Sequence, residues 1–280
     1  MEILNSLIFS LDFPFSLIIQ FAFMLLIGLL SYYRKWLTIS GSLAAVFVGV
    51  CILWCMKIQG FVILFYFFAM ANLFSHLSKK HELPFNTNLE KKGNRRDGVQ
   101  VLANGGMACL GAILYLTSST LSGLLIFSAS LAEAISDTLA GDAGRLSPRQ
   151  PFSIRTHLPV KKGLSGGITF LGLLAGLLSS ASVALLTIIF FKCKNSAVCF
   201  TIITFSGFIG CVFDSFLGAY YQIHYWDESS SSITEKENDS VTGDKNEFVR
   251  GLKWMDNDMV NFISNLMAVI IASAFGFFLK

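Results

Sequence analysis

Three carboxylates interrupt the segment SLAEAISDTLAGDAGRL (130–146), which closes an apolar run starting near Leu121: Glu133, Asp137 and Asp142. Four other polar clusters accompany it. GNRRDGVQVLANGG (93–106) carries Arg95, Arg96, Gln100 and Asn104; the last three recur every four residues and share a helix face. KKGLSGG (161–167) sets Lys161 and Lys162 before Gly163, Gly166 and Gly167. GCVFDSFLGAY contains Asp214, and DNDMVNFISN (256–265) contains Asp256, Asn257, Asp258, Asn261 and Asn265. Clustered carboxylates repel unless protonated or bridged by a cation. Asp and Asn oxygens suit a hard ion such as Mg²⁺. Basic side chains and a glycine-rich turn opening a helix suit phosphate oxygens. Acids for a metal together with bases for phosphate are the parts of phosphoryl transfer, which works mainly by positioning and charge neutralisation.

On that reading the metal ligands are Asp137, Asp142, Asp214, Asp256 and Asp258. Asp137, Asp214, Asn104 and Asn261 are the reacting and orienting groups. Arg95, Arg96, Lys161, Lys162, Gly163, Gly166 and Gly167 hold the phosphates. Glu133 shares a face with Asp137, whereas Asp142 lies about 140° away on a helix of 3.6 residues per turn. It rejoins them only if the helix ends or bends near Gly141. Blander readings stand beside these. Asp137 and Asp214 can be structural, bonded to Ser and Thr neighbours. GLSGG lacks the Lys-Ser/Thr of a P-loop. Gly207, Gly210 and Gly218 fit close helix packing.

The elements that must position these groups are membrane spans. The chain is 54% hydrophobic with 27 Phe and only 14% charged residues, against about 25% charged in a soluble domain. With roughly 20 apolar residues per crossing, the expected fold is all-α, a polytopic transmembrane bundle of about eight spans: 14–33, 40–56, 60–77, 99–117, 121–141, 165–191, 198–222 and 257–279. The second and third are the least defined and fit one long hairpin or a re-entrant pair. No Lys or Arg precedes the first span, so it reads as a span rather than a secretory signal.

Of the 21 Lys and Arg, 17 fall in the first, third, fifth and seventh loops. Positive loops stay in the cytoplasm, which puts both termini outside, in a plasma (inner) membrane, and all five clusters at the cytoplasmic face. The whole chain reads as one integral membrane domain, with 227–250 a flexible Ser- and charge-rich cytoplasmic loop. Cys193 and Cys199 bracket a short loop and could pair.

The motifs SGSLAA, RRDGVQVLANGG, DTLAGDAG, GLSGG, DSFLGA and DNDMVN, in this order, resemble the phytyl-phosphate kinase and "transmembrane protein 19" family, long described as a membrane domain of unknown function. The resemblance runs from SGSLAA (40–45) to the last span. It implies a multi-pass enzyme of isoprenoid metabolism. The substrate it implies is an isoprenyl (phytyl or polyprenyl) monophosphate, phosphorylated to the diphosphate with Mg²⁺ and CTP or another nucleoside triphosphate. Asp137, Asn104, Asp214 and the Asp256, Asn257, Asp258, Asn261 set match the family's motifs. Asp142 stands where Glu is usual, Leu164 replaces a Thr in the glycine-rich turn, and AMANLFSH (69–76) departs from a Ser/Thr-rich segment. Glu133 is outside the motifs. The bilayer and the lipid substrate are the expected partners, with no nucleic acid among them. Two rivals remain: a transporter of an anionic or isoprenoid solute, and a nucleotidyltransferase forming a CDP-lipid.

Overall fold

A computed structural model describes Asn5, Phe9 and residues 13–80, 95–118, 121–239 and 241–277. Seven of its helices are long and apolar enough to cross a bilayer. They are α1 (Phe13–Tyr33), α2 (Ile39–Lys80), α3 (Gly98–Ser118), α4 (Leu121–Leu146), α5 (Phe170–Phe191), α6 (Ser196–Tyr220) and α7 (Asn257–Phe277).

At 42 residues α2 would be about twice as long as a bilayer core is thick. It does not run straight. Lys57 adopts φ 56°, ψ −158°, outside helical geometry, and the chain turns back there. Both ends of α2 consequently lie at the same end of the bundle. Thr38 donates its N–H to the Arg96 carbonyl (3.0 Å), and Ser75 and Ser78 reach Asp142 on α4. The Trp36 ring, just before α2, meets Phe68 at 5.7 Å. The second and third expected spans are thus the two arms of a hairpin, 39–56 and 58–80, which makes eight membrane-length segments among the described residues.

The central element is α4, most of whose residues are buried, from Gly123 through Ala143. Polar side chains line its contacts: Ser136 donates to Gly176 O on α5 (2.9 Å), and Thr187 on α5 bonds Ser128 (3.0 Å). Small residues allow these approaches. A Cβ on Gly207 of α6 would meet Ala132 Cβ at 2.7 Å, and one on Gly210 would meet Glu133 Cγ at 2.6 Å. In a membrane interior such close packing, rather than hydrophobic exclusion, joins helices.

Two expectations about element ends are corrected. Helix α4 does not end at Gly141 but continues to Leu146. The Gly-rich turn 163–167 precedes α5 instead of opening it. Its last residue belongs to β2 (Gly167–Ile168), paired antiparallel with β1 (Phe152–Ser153).

A third correction concerns residues 227–250, expected to be a flexible loop. They form most of a three-stranded antiparallel sheet, β3 (His224–Asp227), β4 (Ser232–Thr234) and β5 (Glu247–Arg250), in the order β4-β3-β5. Two of its acids hold its turns. Asp239 accepts N–H bonds from Ser229, Val241 and Thr242, and Asp227 accepts from Ser230; both acids are buried. Local Asp and Ser bonds of this kind compete well with disorder when several close one turn. All six cysteines are free, Cys193 and Cys199 included.

Candidate active site

At the end of the bundle where both ends of α2 lie, a cavity of about 330 Å³ opens among α2 through α7. Arg96, Gln100 and Asn104 line it from the start of α3; Asp137, Gly141, Asp142 and Arg145 from the end of α4; Gly163, Leu164, Gly166 and Gly167 from the turn before α5. Asp214 faces it from α6, and Asp256, Asn257, Asp258 and Asn261 from the start of α7.

The local sequence explains how each wall is held. Asp97 and Gln100 cap α3 reciprocally: Asp97 Oδ1 accepts the Gln100 N–H (3.0 Å) and Gln100 Oε1 accepts the Asp97 N–H (3.1 Å). The Arg96 backbone pairs with Trp36 and Thr38 beneath. Thr169 caps α5 through the Gly172 N–H (2.9 Å), and Asp256 caps α7 through the Met259 N–H (3.2 Å). The N-termini of α3, α5 and α7 therefore all open into this cavity. Each contributes a positive dipole end.

The acids divide into two groups. Asp137 on α4 and Asp214 on α6 line the same cavity, near enough for the charge of each to act on the other. Around them acceptors outnumber donors. The single Ser264 hydroxyl proton faces Glu133 Oε1 (2.8 Å), Asp214 Oδ2 (3.2 Å) and Asn261 O (3.0 Å). With its amide nitrogen turned toward its acceptors, Asn261 also donates to Asp214 Oδ2 (3.1 Å). Asp142 sits apart on another wall. Its oxygens accept from Ser75 and Ser78, each at 2.8 Å, and the Arg96 charge acts on it.

Glu133 does not line the cavity. It is buried one helical turn below Asp137, bound by Ser264 and by Asn265 Nδ2 (2.7 Å), and Asn265 in turn bonds Ser130.

Among the described residues no three His, Cys, Asp or Glu side chains form a metal cage. The facing pair Asp137–Asp214 nonetheless suits Mg²⁺, which commonly takes only one or two carboxylates and draws its other ligands from water and substrate phosphate. The excess of oxygen acceptors at this pair is the local observation that fits a cation.

The basic residues assemble differently from expectation. Arg96 faces the cavity, but Arg95 lies over the Tyr32 ring at 5.9 Å. Lys161 is exposed. Lys162 Nζ donates to the carbonyls of Arg145 (3.1 Å) and Ser147, capping the C-terminus of α4. Lys162→Ala is therefore expected to cost about 1 kcal/mol of stability and to leave phosphate binding within twofold, measured by thermal unfolding and by calorimetric titration of methyl phosphate. A tenfold loss of phosphate affinity would return Lys162 to the anion site.

Several lining residues escaped sequence reasoning. Arg145 follows Asp137 and Gly141 at successive i+4 positions, so the helix face already marked by Asp137 pointed to it. Asn72 and Ser75 come from the segment AMANLFSH. Glu235, from the sheet, reaches the cavity and accepts a hydrogen bond from Ser165 in the Gly-rich turn. No local pattern announced it, because its partners come from distant segments.

Burial pushes the Glu235 carboxyl up to about 7, against the downward pull of Ser165, Gln222 and Arg145. Below that pH it is neutral, and above it adds a negative charge facing any bound anion. Methyl phosphate affinity is expected to fall more steeply between about pH 6 and pH 8 in the wild type than in Glu235→Gln. Equal slopes would remove Glu235 from the anion's surroundings. His224 is neutral throughout this range: burial holds it down to about 4, and its Nδ1 donates to the Gln222 carbonyl (2.8 Å).

The family model described as "Integral membrane protein DUF92" matches residues 22–269. The chain belongs to this family. It is 28% identical to "Protein PGR" of Arabidopsis thaliana over 274 residues, 89% of this chain and 92% of that one. It is 29% identical to "Uncharacterized membrane protein MJ0933" of Methanocaldococcus jannaschii over 187 residues, 65% of this chain and 73% of that one. No solved structure matches. The match includes all the residues named above as lining the cavity, and the family is the one the ordered motifs resemble.

Proposed function

We propose that this DUF92 protein is a membrane phosphotransferase that converts an isoprenyl monophosphate to the diphosphate with a nucleoside triphosphate and Mg²⁺. The carrying observation is one cavity in which the Asp137–Asp214 pair, Arg96, Arg145 and three helix N-termini meet. Six acids line it against two arginines, so phosphates enter favourably only with a cation that offsets the carboxylates. Asp137 and Asp214 would hold that ion, with Asn261 orienting Asp214. Bound there, Mg²⁺ would neutralise phosphate charge.

Arg96 and Arg145 hold the phosphate oxygens, and the Gly163–Gly167 turn lets the backbone approach them. A terminal oxygen of the acceptor monophosphate attacks the γ-phosphorus. The bond from that phosphorus to the β–γ bridging oxygen breaks, and the nucleoside diphosphate leaves. Arg145, Lys162 and the basic residues of the sheet lie at the cavity's end of the bundle, which supports a cytoplasmic opening by the positive-inside rule.

The test supplies purified protein with Mg²⁺, with each of CTP, ATP, GTP and UTP labelled in turn on the α- or γ-phosphate, and with phytyl, geranylgeranyl or longer polyprenyl monophosphates. Label passing from the γ-position to the lipid supports the reading. Label passing from the α-position makes the protein a nucleotidyltransferase. No labelled lipid from folded protein, with label-free uptake into vesicles, favours transport.

A further inference from the structure

A second cavity adjoins the first. It encloses about 80 Å³ between α1, both arms of α2 and α3. Met24 and Ile27 of α1, Ala45 and Val48 of the first arm, and Leu64 and Phe68 of the second make its walls apolar. Ser31 also lines it, but its hydroxyl is turned to the Ile27 carbonyl of its own helix (2.8 Å). Polarity appears at one end. There Arg96, Gln100 and Asn104 line this slot and the large cavity alike. Phe65, also on the slot, is 49% exposed on the surface that faces lipid.

We propose that this slot seats the first carbons of the hydrocarbon chain of a membrane amphiphile whose phosphate head lies beside Arg96 in the large cavity. The inference rests on the phosphate reading of that cavity and adds where the chain goes. Charge complementarity sets the direction: an anionic head belongs at the guanidinium, and Arg96 also lines the apolar slot, which offers the chain a wall directly beside the head. Helices α1, α2 and α3 carry none of the acidic pairs, so a chain entering between them from the bilayer avoids the carboxylates of α4 and α6. Size limits how much is held. An apolar cavity of roughly 150 Å³ accommodates a benzene ring, so 80 Å³ seats roughly three carbons and the remainder lies in the bilayer. With about fourfold in affinity per buried methylene, the slot is worth ten- to a hundredfold.

The experiment places the protein in nanodiscs with hexadecyl phosphate bearing a diazirine on its third carbon, and adducts are mapped by mass spectrometry. Adducts on residues of α1, α2 or α3 around Met24, Phe65 and Phe68 are expected; adducts confined to α5, α6 or α7 would overturn the proposal. In parallel, Ala45→Phe fills the slot. Hexadecyl phosphate binding is expected to weaken ten- to a hundredfold while methyl phosphate binding stays unchanged. Equal loss of both probes, or of neither, counts against the slot. Should Ala45→Phe not fold, the wild-type adducts still decide. The two readings fail separately. Adducts in the slot without any nucleotide-dependent transfer sink the phosphotransferase and leave the slot, whereas transfer with adducts elsewhere sinks the slot alone.

Discussion

Asp137→Asn and Asp214→Asn are each expected to lower lipid phosphorylation by at least about a thousandfold, some 4 kcal/mol of transition-state stabilisation, while the protein unfolds at an unchanged or higher temperature. The two halves of that result have one cause. The carboxylates line one cavity from α4 and α6, each within reach of the other's charge, and the neighbouring Ser264 can satisfy only one of its three acceptors at a time. Such a pair is costly without a proton or a cation between its members. Asn is nearly isosteric with Asp, removes one charge and supplies an N–H donor, so it relieves the repulsion and satisfies an acceptor. It also removes one of the two carboxylates proposed to hold the ion. Function and stability therefore move in opposite directions.

A purely structural role predicts the reverse, with activity kept and the midpoint lowered. Glu133→Gln separates the deeper layer. Glu133 has a donor of its own in Asn265, shares the Ser264 proton with Asp214 and does not reach the cavity, so the loss of activity in Glu133→Gln is expected to stay within about tenfold. Activity assays beside thermal unfolding of the three variants check all of this.

The parts of the fold legible in the sequence were those that depend on segment length and polarity. Apolar runs of membrane length located the described helices to within five residues at each end, because in lipid each crossing must satisfy its own backbone hydrogen bonds. The α2 hairpin was readable as an ambiguity. Its turn contains neither Gly nor Pro and rests on Lys57 at positive φ, which no propensity rule anticipates. The polar motifs of α3, α4, α6 and α7 could be found because a polar residue within an apolar helix is conspicuous.

What escaped was whatever depends on long-range geometry. Lys162 was indistinguishable by type from a phosphate ligand until its ammonium was seen on the α4 carbonyls. Residues 227–250 had the composition of a linker, yet their Asp and Ser side chains close turns and three strands pair. Glu235 became visible only once that sheet placed it against Ser165.

Gly166→Ala is expected to destabilise the protein by about 2–5 kcal/mol and to disable the site together with the fold around it. Two independent costs add. Gly166 has φ +83°, a left-handed conformation that costs an L-residue roughly 1–2 kcal/mol. Its missing Cβ would also stand 2.5 Å from both Cα and Cβ of Ala219 on α6. Half of that contact is backbone, so no rotamer change removes it, and overpacking of this kind costs about 1–3 kcal/mol. The turn or the helix must move. Moving the turn shifts Ser165 away from Glu235 and opens the junction with Gly218, where a Cβ would already touch Ser165. The cradle between α4 and α5 then loses its shape even in molecules that remain folded. Gly106→Ala on α3 is the matched control, because a Cβ there meets nothing within 4 Å. It sits inside a helix, where Ala is better than Gly by about 0.5–1 kcal/mol, so it should be neutral or stabilising. Thermal unfolding and methyl phosphate titration of both variants test the contrast. If Gly166→Ala matches the wild type in both, the glycine-rich turn does not depend on its contact with α6, and its part in holding phosphate loses its structural basis.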